Sequence, residues 1–287
     1  MILVTGASGA VGGRVARLLA DRGQRIRMLV RDRTRAPELP GAEVVTGDYA
    51  DPESLPSAFE DVDTAFIVSG YAEPGERWKL HANAVDAALA AGVGRIVYLS
   101  FQGAALDSAF AFARDHARTE QHIRSKGIAY TLIRPNLYLD EVPHFFDDEG
   151  VVRGPAGDGR TAWVCRNDLA RVLATVLTEV GHRDGVCDVT GPEAMTLGET
   201  AARLSALVGR PLSYRPESRK EGLAWRRPLG APDWELDAWV SSYEAIAAGE
   251  LAPVSDAVPR LTGSPALNLE QFFGRESQAL ERLKKAE

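Results

Sequence analysis

Three glycines carry the first chemistry in this chain. In Thr5-Gly6-Ala7-Ser8-Gly9-Ala10-Val11-Gly12 they stand at positions 6, 9 and 12, after the apolar run MILVT and at the head of a helical pattern. Residues this small let backbone N–H groups approach a pyrophosphate, and the following helix aims the positive end of its dipole at the phosphates. Gly12 would permit close contact between that helix and the strand. A glycine-rich turn also serves as a plain strand-to-helix connection; the strand before it and the βαβ unit it begins point to a dinucleotide. The second strand ends Val30-Arg31-Asp32, with Arg33 and Arg35 close behind. A carboxylate there accepts from the ribose 2′-hydroxyl of NAD(H), whereas a 2′-phosphate repels it and is met by arginine. Arg31 comes first and Arg35 adds charge, which favours NADP(H); Asp32 keeps NAD(H) open. Arg33 reads better as part of a solvated loop. Asp48 and Tyr49, after the third strand, lie where an adenine is expected, although Gly47-Asp48 would also serve a turn into a helix.

Proton chemistry is less conventional. Ser100 ends the fifth strand, but the helix that follows reads Asp115-His116-Ala117-Arg118-Thr119-Glu120 where short-chain dehydrogenases carry Tyr-x-x-x-Lys. His116 and Glu120, four apart, share a helix face and can pair. Imidazole suits proton transfer near neutral pH, so His116 is a candidate proton donor. The competing reading is an exposed helix pair with no catalytic task. Cys165 and Cys187 lack metal-ligand spacing and read as buried thiols at strand ends, so neither a disulfide nor a metal site is expected.

The elements that must position these residues follow from pattern. MILVT, RIRMLV, AEVVT, TAFIVS, RIVYLS and AYTLIR have strand length and composition, and helical patterns alternate with them: GAVGGRVARLLADRG, DPESLPSAFED, GERWKLHANAVDAALAAGV and ARDHARTEQHIRSKG. That alternation predicts an α/β fold, a Rossmann doubly wound parallel sheet, over residues 1–134. Asp51-Pro52 forms an N-cap and first-turn pair, and Gly23, Gly92 and Gly127 stand at helix stops. From 135 to 287 the alternation loosens into VCDVT, PLSYR, NDLARVLATVLTEVG, LGETAARLSALVG and the loop GPAGDGR. A smaller C-terminal α/β lobe that binds substrate is expected there, with some segments returning to the sheet. Trp225, Trp234 and Trp239 read as packing of that lobe, or as the wall of a planar-substrate site.

With 287 residues, 45% of them hydrophobic, the chain can bury a substantial core. Its net charge of -7 offers no general attraction to nucleic acid. No apolar run reaches the roughly 18 residues of a membrane span. The N-terminal residues enter a strand and show no signal-peptide pattern. A cytoplasmic protein without membrane insertion is expected.

Taken in order, TGASGAVG, LVRDRTRA, HANAVDAALAAGVGRIVYLS, HARTE, GIAYTLIRPNLYLDE, GPAGDGR with the later NDLA, and LTGSP span nearly the whole chain. In that order and spacing the sequence resembles the NmrA-like atypical short-chain dehydrogenase/reductases, and most closely their NAD(P)H:quinone oxidoreductase type 2 and triphenylmethane reductase members. The resemblance implies NADPH in a cleft between a Rossmann domain and a small lobe. It assigns the pyrophosphate to Gly6, Ala7, Ser8, Gly9, Ala10 and Val11, and the 2′-phosphate to Arg31. Ser69, Gly70 and Ser100 would line the cofactor, and Pro135, Asn136, Leu137 and Tyr138 would lie beside nicotinamide and substrate. Two positions depart from the family pattern: Asp32 stands where relatives carry Asn, and Pro135 where they carry other residues. The family's His-x-x-x-Glu is met by His116 and Glu120.

The implied reaction passes hydride from the nicotinamide to a quinone or similar conjugated aromatic acceptor. The charge it leaves on oxygen can be quenched by water, so the protein must chiefly stack and orient the ring. Tyr138, Asn136 and His116 are the candidates to orient or protonate the acceptor, and Phe145, Phe146 and Trp225 are candidates for an apolar wall. Two other readings stay open: a regulator that senses NAD(P) without turnover, and a tailoring enzyme acting on a polycyclic aromatic natural product.

Overall fold

Alternation within each short strand decides which way the sheet is covered. In the first, β1 (Ile2–Thr5), Ile2 and Val4 join one core and Leu3 the other. The same split recurs in β2 (Ile26–Val30), where Met28 and Val30 oppose Leu29, in β4 (Thr64–Ile67), where Phe66 opposes Ala65 and Ile67, and in β5 (Arg95–Leu99), where Val97 opposes Ile96 and Tyr98. Apolar side chains on both faces require a covering layer on each side, the condition that parallel sheets with crossover helices meet. The computed structural model, which describes residues 1–179, 181 and 185–284, has that arrangement.

Seven strands pair in the order β3-β2-β1-β4-β5-β6-β9, all parallel, with β3 at Glu43–Thr46, β6 at Ala129–Pro135 and β9 at Gly185–Val189. The helices α1 (Ala10–Asp21), α5 (Arg166–Thr178) and α9 (Ala257–Thr262) cover one face. The other is covered by α2 (Pro56–Phe59), α3 (Arg77–Ala90) and α4 (Ala111–Ser125). Gly23, Gly92 and Gly127 close α1, α3 and α4 with φ of 70°, 74° and 70°, a region glycine enters without a Cβ penalty.

One local expectation is corrected. The stretch DPESLPSAFED is a 3₁₀ turn at Pro52–Ser54 followed by the single turn α2, because Pro56 has no N–H to continue a helix and starts a new one; Asp51 precedes that turn, but its side chain makes no capping bond. VCDVT and NDLARVLATVLTEVG, in the second half of the chain, form β9 at the sheet edge and α5 against α1. That helical pattern includes residue 180, which lies outside the described residues.

The rest of the second half builds a separate core around Trp163, Phe272 and Phe273. Here β7 (Val151–Gly154) pairs in parallel with β11 (Ser213–Pro216), and β8 (Arg160–Thr161) pairs antiparallel with β10 (Met195–Thr196). The helices α6 (Leu197–Val208), α7 (Arg219–Arg226), α8 (Asp233–Ala247) and α10 (Leu269–Arg275) pack around them. No described helix is long and apolar enough to cross a membrane.

Candidate cofactor cleft

Strand order reverses between β1 and β4, and ligands of open α/β sheets bind outside the carboxyl ends at such a point. A cleft of about 310 Å³ opens there, lined among others by Gly6, Ser8, Gly9, Arg31, Arg35, Asp48, Tyr49, Ser69 and Gly70. The glycines are required by shape. Gly6 has φ of +58°, and a Cβ there would lie 3.2 Å from Val68 Cβ. At Gly12 a Cβ would come within 2.3 Å of the Gly6 carbonyl oxygen, so the helix touches the turn itself. No side chain caps α1 and no acidic residue occupies its first turn, which leaves the helix amides to an outside anion. Ala10 is exposed at that end, whereas the side chains of Ala7 and Val11 turn into the core. These features fit a dinucleotide pyrophosphate.

The charges at the end of β2 divide between the cleft and their own loop. Asp32 turns its carboxylate back on its own loop, accepting from the backbone N–H of Thr34 (2.9 Å) and its hydroxyl (2.7 Å), and these bonds hold its pKa below the usual carboxylate value. Arg31 and Arg35 are exposed on the cleft, and neither guanidinium makes an ion pair or hydrogen bond among the described residues. Arg33 lines a different groove with Pro37 and Glu38. The Tyr49 hydroxyl donates to Thr5 Oγ1 (2.6 Å), and its burial pushes the phenol pKa well up. Four lining side chains carry no motif and escaped the sequence reading: Leu29, Val68, Tyr71 and Leu80.

Behind the cleft floor lies a polar network that spacing alone did not reveal. Arg77 Nη1 lies 3.0 Å from His116 Nε2, and Tyr98 Oη lies 2.8 Å from His116 Nδ1. Arginine only donates, so His116 Nε2 accepts and the ring carries its hydrogen on Nδ1. The Gly70 N–H donates to His81 Nε2 (2.9 Å), which likewise puts the His81 hydrogen on Nδ1, facing Thr119 Oγ1 (2.9 Å) and Tyr98 Oη (3.0 Å). Both imidazoles are neutral. Burial, then the Arg77 charge, drives their pKa values well below that of free histidine. His116 and Glu120 are therefore not an exposed pair: both are buried, and they hold different partners. Glu120 accepts from Ser100 Oγ (2.6 Å) and Arg134 Nε (2.7 Å), which ties Ser100 below the surface.

Asn136 is fully buried and bonded at both polar atoms of its side chain. Its amide nitrogen donates to Gln102 Oε1 (2.6 Å) and Leu251 O (2.8 Å), and its oxygen accepts from Thr161 Oγ1 (2.7 Å) and Leu137 N (2.6 Å). That is a junction between β6 and the lobe. Pro135 is buried at the end of β6, and its carbonyl accepts from Gln102 N. Tyr138 packs half-buried against the Arg166 guanidinium, 4.7 Å from the ring centroid, and burial raises its phenol to about 12. Phe145 and Phe146 sit in the lobe core, and Trp225 packs between Arg153 and Arg226. The aromatic corner that does reach the cleft is Tyr71, its ring 5.8 Å from Phe112 and 5.7 Å from Trp234, its hydroxyl donating to Glu235. Cys165 caps α5 instead of ending a strand, and Cys187 is half-buried inside β9; both are free. No cluster of metal-ligating side chains occurs among the described residues.

Comparison with known proteins agrees with this geometry. The chain matches the NAD(P)H-binding family over residues 6–180. It is 32% identical over 277 residues to an NAD(P)H azoreductase of Xenophilus azovorans, covering 95% of this chain and 96% of that protein. Among solved structures it superposes on the NADPH-dependent quinone oxidoreductase of Escherichia coli in complex with NADPH, with TM-score 0.88 and 32% identity, covering 96% of this chain and all of the other (100%). It also superposes on the triphenylmethane reductase of Citrobacter sp. complexed with NADP(H), with TM-score 0.86 and 33% identity, covering 96% and 99% of the two chains. A glycine cradle, a seven-stranded parallel sheet and likeness along nearly the full length place the chain: it belongs to the NAD(P)H-binding family, among the NmrA-like reductases.

Proposed function

We propose that this protein is an NADP(H)-dependent reductase that delivers hydride to a quinone or a similarly conjugated aromatic small molecule. The observation that carries the cofactor choice is the division of charge after β2: Arg31 and Arg35 face the cleft unpaired, while the Asp32 carboxylate that would accept from a ribose 2′-hydroxyl is already bonded to Thr34. The identity of the relatives supports the reaction class.

NADP(H), when bound, supplies the hydride. The chain's own part is to bind and orient. The glycine turn and the uncapped amides at the start of α1 would take the pyrophosphate, Arg31 and Arg35 the 2′-phosphate, and Ser69, Gly70 and Tyr71 would form the wall of the cleft. Tyr71, backed by Phe112 and Trp234, offers an aromatic surface against which a flat acceptor stacks. No buried side chain has to give up a proton. His116 is neutral with both ring nitrogens engaged, and Tyr138 keeps its proton at neutral pH. Solvent protonates the reduced acceptor. In this reading residues 1–134 carry the cofactor, and residues 135–287 form the substrate lobe apart from α5, β9 and α9. The cytoplasm is its compartment.

The test is NADPH and NADH oxidation by the purified protein against simple and polycyclic quinones. Turnover that prefers NADPH is expected. Tight NADPH binding with no oxidation by any acceptor would replace the reductase with the cofactor-sensing alternative.

A further inference from the structure

Arg77 opens α3 and is 7% exposed, yet no carboxylate pairs with it among the described residues. Asp115, the nearby acid, is committed to the Gly75 N–H (3.0 Å) and to Arg118 (3.1 Å). A buried guanidinium without an anionic partner is unfavourable unless its hydrogen bonds do something for the molecule. Here one of them reaches the backbone of the cleft wall and the other a buried ring. Arg77 Nε donates to the Gly70 carbonyl (2.6 Å), and Nη1 donates to His116 Nε2 (3.0 Å), while its guanidinium carbon lies 4.8 Å from the Phe112 ring centroid. The other side of the same residue, Gly70 N–H, is held by His81 Nε2. Gly70 sits between Ser69 and Tyr71, all three lining the cleft.

We propose that Arg77 is the positioning residue of the cofactor cleft: its guanidinium pins the Gly70 carbonyl from behind and so fixes Ser69 and Tyr71 against the cofactor, with His116 serving as its acceptor. The inference rests on the cleft being the NADP(H) site. It changes the part played by His116 from proton donor to support. The two bonds on Gly70 are also coupled. His81 can accept from Gly70 N–H only while its Nε2 carries no proton, and the nearby Arg77 charge opposes protonation. The charged and titratable groups that face these two rings are Arg77 from α3, Tyr98 from β5 and Arg134 from β6, besides the rings themselves, whose centroids are 6.1 Å apart. On α4, Asp115 and Glu120 are closed in pairs with Arg118, Arg124 and Arg134. Arg77 thus makes one loop bond and protects the other.

The experiment combines imidazole NMR titration with NADPH binding by fluorescence, on the full chain and on Arg77→Gln and Arg77→Lys. In the wild type, His81 and His116 should show no titration from about pH 5.5 to 8, across the range where free histidine titrates. Arg77→Gln should move both histidine titrations upward, although burial still holds them below the free value, and weaken NADPH binding by about tenfold or more, the loss of one charged hydrogen bond, with the larger defect at the lower pH. Arg77→Lys keeps the charge, so the histidines should stay silent, but one ammonium cannot span Gly70 O and His116 Nε2, and binding should still weaken. Ordinary titration of either histidine in the wild type overturns the clamp, as does a folded Arg77→Gln that binds NADPH normally at both ends of the range. If Arg77→Gln does not fold, unchanged NADPH binding by Arg77→Lys overturns it. A wild-type chain that binds no NADPH refutes the proposed function, and the histidine signals then decide the clamp by themselves.

Discussion

Replacing Arg31 by alanine removes one of the two guanidinium groups that line the cleft and leaves Arg35 in place. A hydrogen bond to a charged group contributes roughly 1.5–3 kcal/mol, and the exposure of Arg31 puts its share at the lower end, because solvent and salt screen an open ion pair. About 1.5 kcal/mol corresponds to about a tenfold change in affinity. NADH lacks the 2′-phosphate, so the same substitution should leave it untouched. The assay is kcat/KM for both cofactors at saturating quinone, for wild type and Arg31→Ala. The NADPH-to-NADH ratio should fall about tenfold through KM, and the wild-type preference should shrink as salt rises past about 0.15 M, where the Debye length is about 8 Å. A ratio unchanged by the substitution, or equal losses for both cofactors, would refute the assignment of Arg31 to the 2′-phosphate.

Three further outcomes follow from the supporting structure. Asn136→Ala strands the Gln102, Leu251, Thr161 and Leu137 groups it now satisfies, and should cost about 3 kcal/mol or more. Thermal unfolding should move down by at least roughly 6 °C, whereas an unchanged Tm with lost turnover would make Asn136 a catalytic residue after all. The depressed pKa values of His81 and His116 mean that below about pH 6.5 the unfolded chain binds more protons than the folded one. Stability should therefore be complete above that pH and fall as pH drops from 6.5 to 5, by up to about 1.4 kcal/mol per unit for each ring; denaturant midpoints that stay level over this window would contradict two buried neutral imidazoles. Tyr71→Phe keeps the ring on Phe112 and Trp234 and should leave the acceptor KM unchanged, while Tyr71→Ala should raise it about fivefold, the worth of roughly 1 kcal/mol of aromatic contact. Equal effects of the two would shift the role to the hydroxyl and its bond to Glu235.

The cofactor half of the molecule was legible because its signals are local. A glycine at φ +58°, another whose Cβ would strike a carbonyl oxygen, and strands that alternate between two cores all leave marks within a few residues of sequence. The charge pattern at Arg31 and Arg35 was equally readable, but the fate of Asp32 was not, since it depends on the Asx-type turn that Thr34 completes. The surroundings of the acid–base candidates were hidden for a related reason. Spacing puts His116 and Glu120 on one helix face, but it does not say that the face is buried against Tyr98 and Arg134, which separate the two into different networks. Arg77 carried no motif, and an arginine at a helix start reads as surface until burial is seen. Tyr71 was missed because its neighbours, Phe112 and Trp234, come from distant parts of the chain.

The central claim is that bound NADPH is a hydride donor here and not a permanent ligand. Its most direct test is a single-turnover measurement: the protein is loaded with stoichiometric NADPH, mixed with a quinone in rapid-mixing absorbance, and the run repeated with NADPH deuterated at the transferred position. The expected result is loss of the reduced-nicotinamide absorbance only when acceptor is added, slowed by deuterium. Bound NADPH that persists through every quinone and conjugated dye tried would contradict the claim.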